Sequence, residues 1–116
     1  MNKQKLIKFV NTHKDGFTVE YGTLKPIEHK NGFYVGISNN SGFNIEKVAS
    51  DLINAKKTIF KDIPLLIGGW VDVQNSMFYL DLSVYTDNSE KAVFLCKLFN
   101  QKAYFDIAKT ESVYIN

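Results

Sequence analysis

The stretch from Leu65 to Tyr85, LLIGGWVDVQNSMFYLDLSVY, constrains the fold more than any other part of this chain. It alternates as a β-hairpin does. Turned about Asn75-Ser76, it sets Val73 opposite Phe78, Val71 opposite Leu80, Gly69 opposite Leu82 and Ile67 opposite Val84. That face is apolar apart from one glycine. The other face then carries Asp72 opposite Tyr79, Trp70 opposite Asp81, Gly68 opposite Ser83 and Leu66 opposite Tyr85. A slip of either strand by one residue would put half the apolar set into water, so this register is expected to be strongly specified.

The flanking segments supply what such a hairpin needs. Residues 3–13 read as a short N-terminal helix with Leu6, Ile7, Phe9 and Val10 inward, ended at Lys14-Asp15-Gly16. Phe17–Tyr21 and Phe33–Ser38 read as strands, separated by a loop or irregular edge from Gly22 to Lys30. Asn39-Asn40-Ser41-Gly42 reads as a break. Asn44 is a good N-cap for an amphipathic helix over 45–60. Lys61–Pro64 ends that helix, because a residue before proline disfavours the α region. Thr86–Ser89 supplies caps for a helix over about 88–100, in which Val93, Phe94 and Leu98 widen the Ala92, Leu95, Cys96, Phe99 stripe toward deep burial. Lys102–Ile107 and Ser112–Ile115 complete the pattern as strands. The expectation is a single α+β domain over 1–116. It has an antiparallel-rich sheet of about five strands, two long helices packed on one face, a short N-terminal helix and the central hairpin in mid-sheet.

Composition excludes several classes. The 14 basic residues are all lysine, and with 12 acidic residues the net charge is +2. Such a balance disfavours a nucleic-acid mimic, and the absence of arginine removes the planar fork that reads guanine and grips phosphate. Direct nucleic-acid binding is therefore not expected, although Lys3, Lys5 and Lys8 on the first helix could touch a phosphate backbone. One cysteine, Cys96, permits no internal disulfide and reads as a buried, inert thiol. His13 and His29 stand alone, so no metal site is expected. No cofactor is expected either, since Gly68-Gly69 leads into a strand rather than a phosphate-binding helix. A glycine pair in a strand instead marks a bulge or a close approach. No stretch is long and apolar enough to cross a membrane, and the expected location is cytoplasmic.

Two features of the hairpin's outer face could carry chemistry. Asp72 and Asp81 are diagonal neighbours in the register above, about 7–8 Å apart at Cα; they could share a cation or a proton, against the ordinary reading of solvated residues. Trp70, Tyr79 and Tyr85, with Tyr104 beside them, make a candidate protein-binding surface together with those aspartates. Either the aromatic residues are exposed, or the N-terminal helix or the Gly22–Lys30 loop covers them.

Gly16–Val19 (GFTV), Pro26, Gly32–Val35 (GFYV), Gly68–Trp70 (GGW), Tyr79–Asp81 (YLD), Asn88–Ala92 and Asn100–Asp106 (NQKAYFD) together resemble a group of small proteins carried by bacteriophages and other mobile elements. The likeness spans nearly the whole chain; where the shared pattern opens a helix with Asp, this chain has Asn88. The resemblance implies the α+β fold, a mobile-element origin and a bacterial host cytoplasm, and it carries over no catalytic residue. Phage proteins of this size without an enzymatic motif often bind host defence machinery. The expected function is therefore a non-enzymatic inhibitor of a host complex, such as a CRISPR effector (an anti-CRISPR role) or a restriction enzyme. The alternatives are a protein that binds or sequesters a small molecule such as a nucleotide, and a nucleic-acid accessory protein. Neither the partner nor the oligomeric state follows from the sequence.

Overall fold

In the computed structural model, which describes residues 1–57 and 64–115, the element order is α1 (Lys3–Thr12), β1 (Phe17–Glu20), β2 (Phe33–Gly42), α2 (Ile45–Lys57), β3 (Leu66–Asp72), β4 (Met77–Thr86), α3 (Ser89–Leu98), β5 (Ala103–Asp106) and β6 (Glu111–Tyr114). The six strands form one antiparallel sheet in the order β1-β3-β4-β2-β5-β6. The class is α+β, with six strands rather than about five. The N-terminal helix has 10 residues, as many as α3, so it is no minor appendage. Ile59, Phe60 and the helix stop at Lys61–Ile63 lie outside the described residues.

Local chemistry starts each helix. Asn2 Oδ1 accepts from the Gln4 backbone N–H at 2.8 Å, Asn44 Oδ1 from Glu46 at 2.9 Å and Asn88 Oδ1 from Lys91 at 3.0 Å. An asparagine in each case satisfies a donor that the first turn leaves without a partner.

All three helices lie on one face of the sheet. Leu6 and Val10 of α1 and Val48, Ala49 and Leu52 of α2 pack with Ile67, Val71, Leu80, Leu82 and Val84 of the central strands. At the other end, Ala92 and Cys96 of α3 pack on Val35 in a smaller cluster. Beside that stripe Leu95 and Val93 are half-buried. Phe94 is 62% and Leu98 55% exposed, against the expectation of deep burial. The small side chains of Ala92 and Cys96 form the seam with the sheet, and among the described residues no element covers the Phe94 and Leu98 side of this 10-residue helix. Tyr104 joins this cluster and meets Phe33 edge to face at 5.3 Å, so it belongs to the helical side and not beside the aspartates.

The hairpin itself holds its faces and changes its register. The observed pairs are Ile67–Leu82, Gly68–Asp81, Gly69–Leu80, Trp70–Tyr79, Val71–Phe78 and Asp72–Met77. The loop is four residues, 73–76, rather than a tight two-residue turn, with Ser76 in the left-handed region at φ 55°. This slides the pairing by two residues. Because side chains alternate with period two, every remaining apolar residue keeps its side, while Val73 leaves the strand and is 66% exposed.

The split between packed and unpacked positions makes a direct prediction. Leu82→Ala should cost about 2–5 kcal/mol in a denaturant titration, the usual range for a fully buried leucine. Phe94→Ser should change stability by no more than about 0.5 kcal/mol, as for other exposed positions.

Candidate functional site

An antiparallel sheet with helices on one face leaves the other to solvent, and on this open face the chain builds a groove. Its floor is a row of residues across four strands: Asn39 of β2, Asp81 of β4, Gly68 of β3 and Thr18 of β1, each paired with the next. At a strand spacing of about 4.8 Å the row is roughly 14 Å long. Gly68 is the low point. A Cβ placed there would collide with Oδ1 of Asp81, so the carboxyl group leans into the space that a side chain would fill. Gly69 points to the packed face, where a Cβ would lie 2.6 Å from Leu80 Cδ2 and 2.7 Å from Phe17 Cζ. The doublet thus marks close approach on both faces in turn.

A β-bulge supplies the rest of the floor. The pairing of β2 with β4 shifts between Gly36 and Ser38, leaving Ile37 as the extra residue. Before the bulge Tyr34 and Gly36 share the open face with Tyr85 and Ser83; after it Asn39 and Ser41 stand opposite Asp81 and Tyr79. The segment read as a break is therefore the second half of a 10-residue strand. Its polar residues are needed where the groove runs.

Two cavities meet at Asp81, Gly68 and Thr18. One, of about 510 Å³, extends toward Trp70, Tyr79 and Ser41. The other, of about 330 Å³, extends toward Tyr34, Ser83 and Phe105. Trp70 and Tyr79 are stacked nearly parallel, with ring centroids 4.7 Å apart and planes 6° apart, and Trp70 is 47% exposed.

Tyr85 has a different fate. His29 stacks on its ring at 3.7 Å and hydrogen-bonds the Tyr34 hydroxyl at 3.0 Å, while the Tyr85 hydroxyl donates to the Asn31 carbonyl at 3.1 Å. The two placements considered for the aromatic residues are thus both realised. Trp70 stands open, and Tyr85 is covered by the segment that follows Gly22.

The carboxylate pair does not exist. Asp72 is paired with Met77 and Asp81 with Gly68, four residues away along β3, or about 13 Å. Asp72 instead holds the hairpin loop: Oδ1 accepts from the Gln74 and Asn75 backbone N–H groups at 3.2 and 3.4 Å, and Oδ2 from the Asn75 side chain at 2.8 Å. Among the described residues no group of three His, Cys, Asp or Glu side chains could hold a metal ion. Cys96 is buried, and burial pushes its thiol up. Lys3 forms an ion pair with Glu46 at 3.2 Å on the helical layer, so it sits apart from the groove; Lys5 and Lys8 lie on the exposed side of the same helix.

Asp81 is electrically unusual. Burial pushes its carboxyl up to about 6 from the ordinary 3.8, although backbone N–H groups of Gly68 and of Asp81 itself pull the other way. Each pH unit is worth about 1.4 kcal/mol, so holding this group ionised costs the fold about 2–3 kcal/mol at neutral pH. Among the described residues no cation pairs with it; the ion pairs there are Lys3–Glu46 and Lys47–Asp51. An uncompensated carboxylate in a cleft is a mark of a working site.

A carboxyl raised in the folded state favours folding while protonated, and that advantage is lost as pH climbs from about 4 through about 6. Asp81→Asn should therefore melt several degrees higher than the parent at pH 7.5, by about 1–3 kcal/mol, and at nearly the same temperature at pH 4. Thermal melts of both proteins across that range decide it. An equal or lower melting temperature for the variant at pH 7.5 would show the carboxylate to be well solvated or well paired.

No protein-family model, no curated protein and no solved structure matches this chain.

Proposed function

We propose that the protein is a non-enzymatic binding protein of phage or mobile-element origin. In this reading it docks on and inhibits a host defence complex, of the anti-CRISPR or anti-restriction kind, in the bacterial cytoplasm. The observation that carries it is the exposed Trp70, stacked on Tyr79 at the rim of the open-face groove. Tryptophan and tyrosine dominate the energetics of protein interfaces because they bury a large area at low entropic cost, and each keeps a polar end. Stacking fixes both rings before contact, which lowers the ordering cost of association. The defence target itself follows from the resemblance and the size of the chain.

A second reading, binding of a small molecule such as a nucleotide, is supported by the cavity of about 510 Å³, which falls in the usual range for ligand sites. The lining argues against an anionic nucleotide, since no lysine lines either cavity and Asp81 would repel phosphate. A nucleic-acid accessory role has less support, because Lys3 is engaged with Glu46 and the groove face carries no basic residue.

Size-exclusion chromatography of the protein with purified CRISPR effector complexes and restriction enzymes tests the leading reading. A co-migrating species and reduced effector activity are expected with one of them. The double change Trp70→Ala, Tyr79→Ala should weaken that complex at least about tenfold, as for a binding hot spot. No complex and undiminished activity across the panel would contradict it, and a melting-temperature rise with a nucleotide panel would favour the second reading.

A further inference from the structure

We infer that the groove accepts the guanidinium group of an arginine side chain from a partner protein, which Asp81 receives at the floor and the Trp70–Tyr79 stack flanks. This deepens the proposed binding role by naming the chemistry of the residue that the partner inserts.

Charge favours a cation, and shape favours a planar one. Two cavities with different surroundings meet at Asp81, and it is the one charged side chain that lines either of them. The other titratable groups facing it across the groove are phenols, Tyr79 on its own strand and Tyr34 on β2. Thr18, Gly68, Gly36, Asn39 and Ser83 contribute no charge. The site is thus set for a monocation, and it repels an anion.

Asp81 and Tyr79 point to the same face two residues apart on β4, a separation of about 7 Å, and Trp70 stands beside Tyr79 on the next strand. A guanidinium is planar, is weakly hydrated, stacks on indole and phenol faces and meets a carboxylate with two parallel N–H bonds. An ammonium has neither the plane nor the fork. The groove continues on both sides of Asp81, with room along its length for the extended backbone that carries such a side chain. The absence of side-chain donors to the carboxylate within the described chain leaves its acceptor positions for the incoming group.

The test uses L-argininamide, with L-citrullinamide, which shares its α-amino group but has a neutral and nearly isosteric side chain, as the control, in titrations followed by thermal shift and by amide NMR shifts. Argininamide should raise the melting temperature at pH 7.5 and move the Gly68, Trp70 and Asp81 signals. Citrullinamide should do neither. Binding should weaken about tenfold at pH 5, where only about a tenth of a carboxyl titrating near 6 is ionised. Asp81→Asn should abolish binding and Trp70→Ala should weaken it, while Glu90→Gln on α3 should leave it unchanged. Equal binding of citrullinamide, binding retained by Asp81→Asn, or no argininamide binding at all would overturn the inference. The two proposals fail separately. A host complex that forms undiminished with Asp81→Asn leaves the binding role standing and removes the arginine. Argininamide binding without any host complex does the reverse.

Discussion

The alternation of β3 and β4 is the constraint on which the rest depends. It sends Ile67, Val71, Leu80 and Leu82 to one side, where α1 and α2 meet them, and Gly68, Trp70, Tyr79 and Asp81 to the other. Burying the first set is worth about 1.5–3 kcal/mol for each large side chain and supplies much of the driving force for folding. Once that side is chosen, the second set is fixed on a face that no helix covers. Any function housed there inherits a rigid platform, because moving it would mean breaking the core behind it.

Three local departures turn that plain face into a groove. Gly68 removes a side chain at the centre, Ile37 bulges so that Asn39 and Ser41 turn toward it, and His29 closes the far end by stacking on Tyr85. Two of these departures carry a cost, and Asp81 adds another. Glycine in a strand forfeits packing and entropy, the bulge interrupts the ladder, and Asp81 is ionised where burial opposes it. Costs gathered in one place, with no structural gain to offset them, are the usual signature of a site selected for something other than stability.

Much of the fold was legible in the sequence because period-two and helical patterns survive small errors. The strands flanking the hairpin, the Asn44 cap, the α3 cap within Thr86–Ser89 and the face assignments of Trp70, Tyr79 and Asp81 all follow from alternation and capping; the Asn2 cap of α1 was not read. What was not legible depends on loop length and tertiary contact. A four-residue loop in place of a two-residue turn slid the pairing, so Asp72 lost Asp81 as a diagonal neighbour and Trp70 gained Tyr79 directly opposite. Nothing in Asn39-Asn40-Ser41-Gly42 separates a strand that continues past a bulge at Ile37 from a turn. The covering of Tyr85 by His29 joins residues 56 positions apart in a loop without periodicity. The exposure of Phe94 and Leu98 follows from how little of α3 the sheet reaches, which no helical stripe can report. The Gly68-Gly69 doublet did point to the site, since it announced a close approach without saying that a carboxylate makes it.

Asp81 is an unpaired, partly desolvated carboxylate in a groove that no other charged side chain lines. Its side-chain carbonyl carbon can be followed by NMR as pH is changed, in the free protein and again with argininamide at saturation. A midpoint near 6 when free, moving down into the ordinary carboxylate range when the guanidinium is bound, is the predicted result. A midpoint already near 4 in the free protein, unmoved by argininamide, would contradict it.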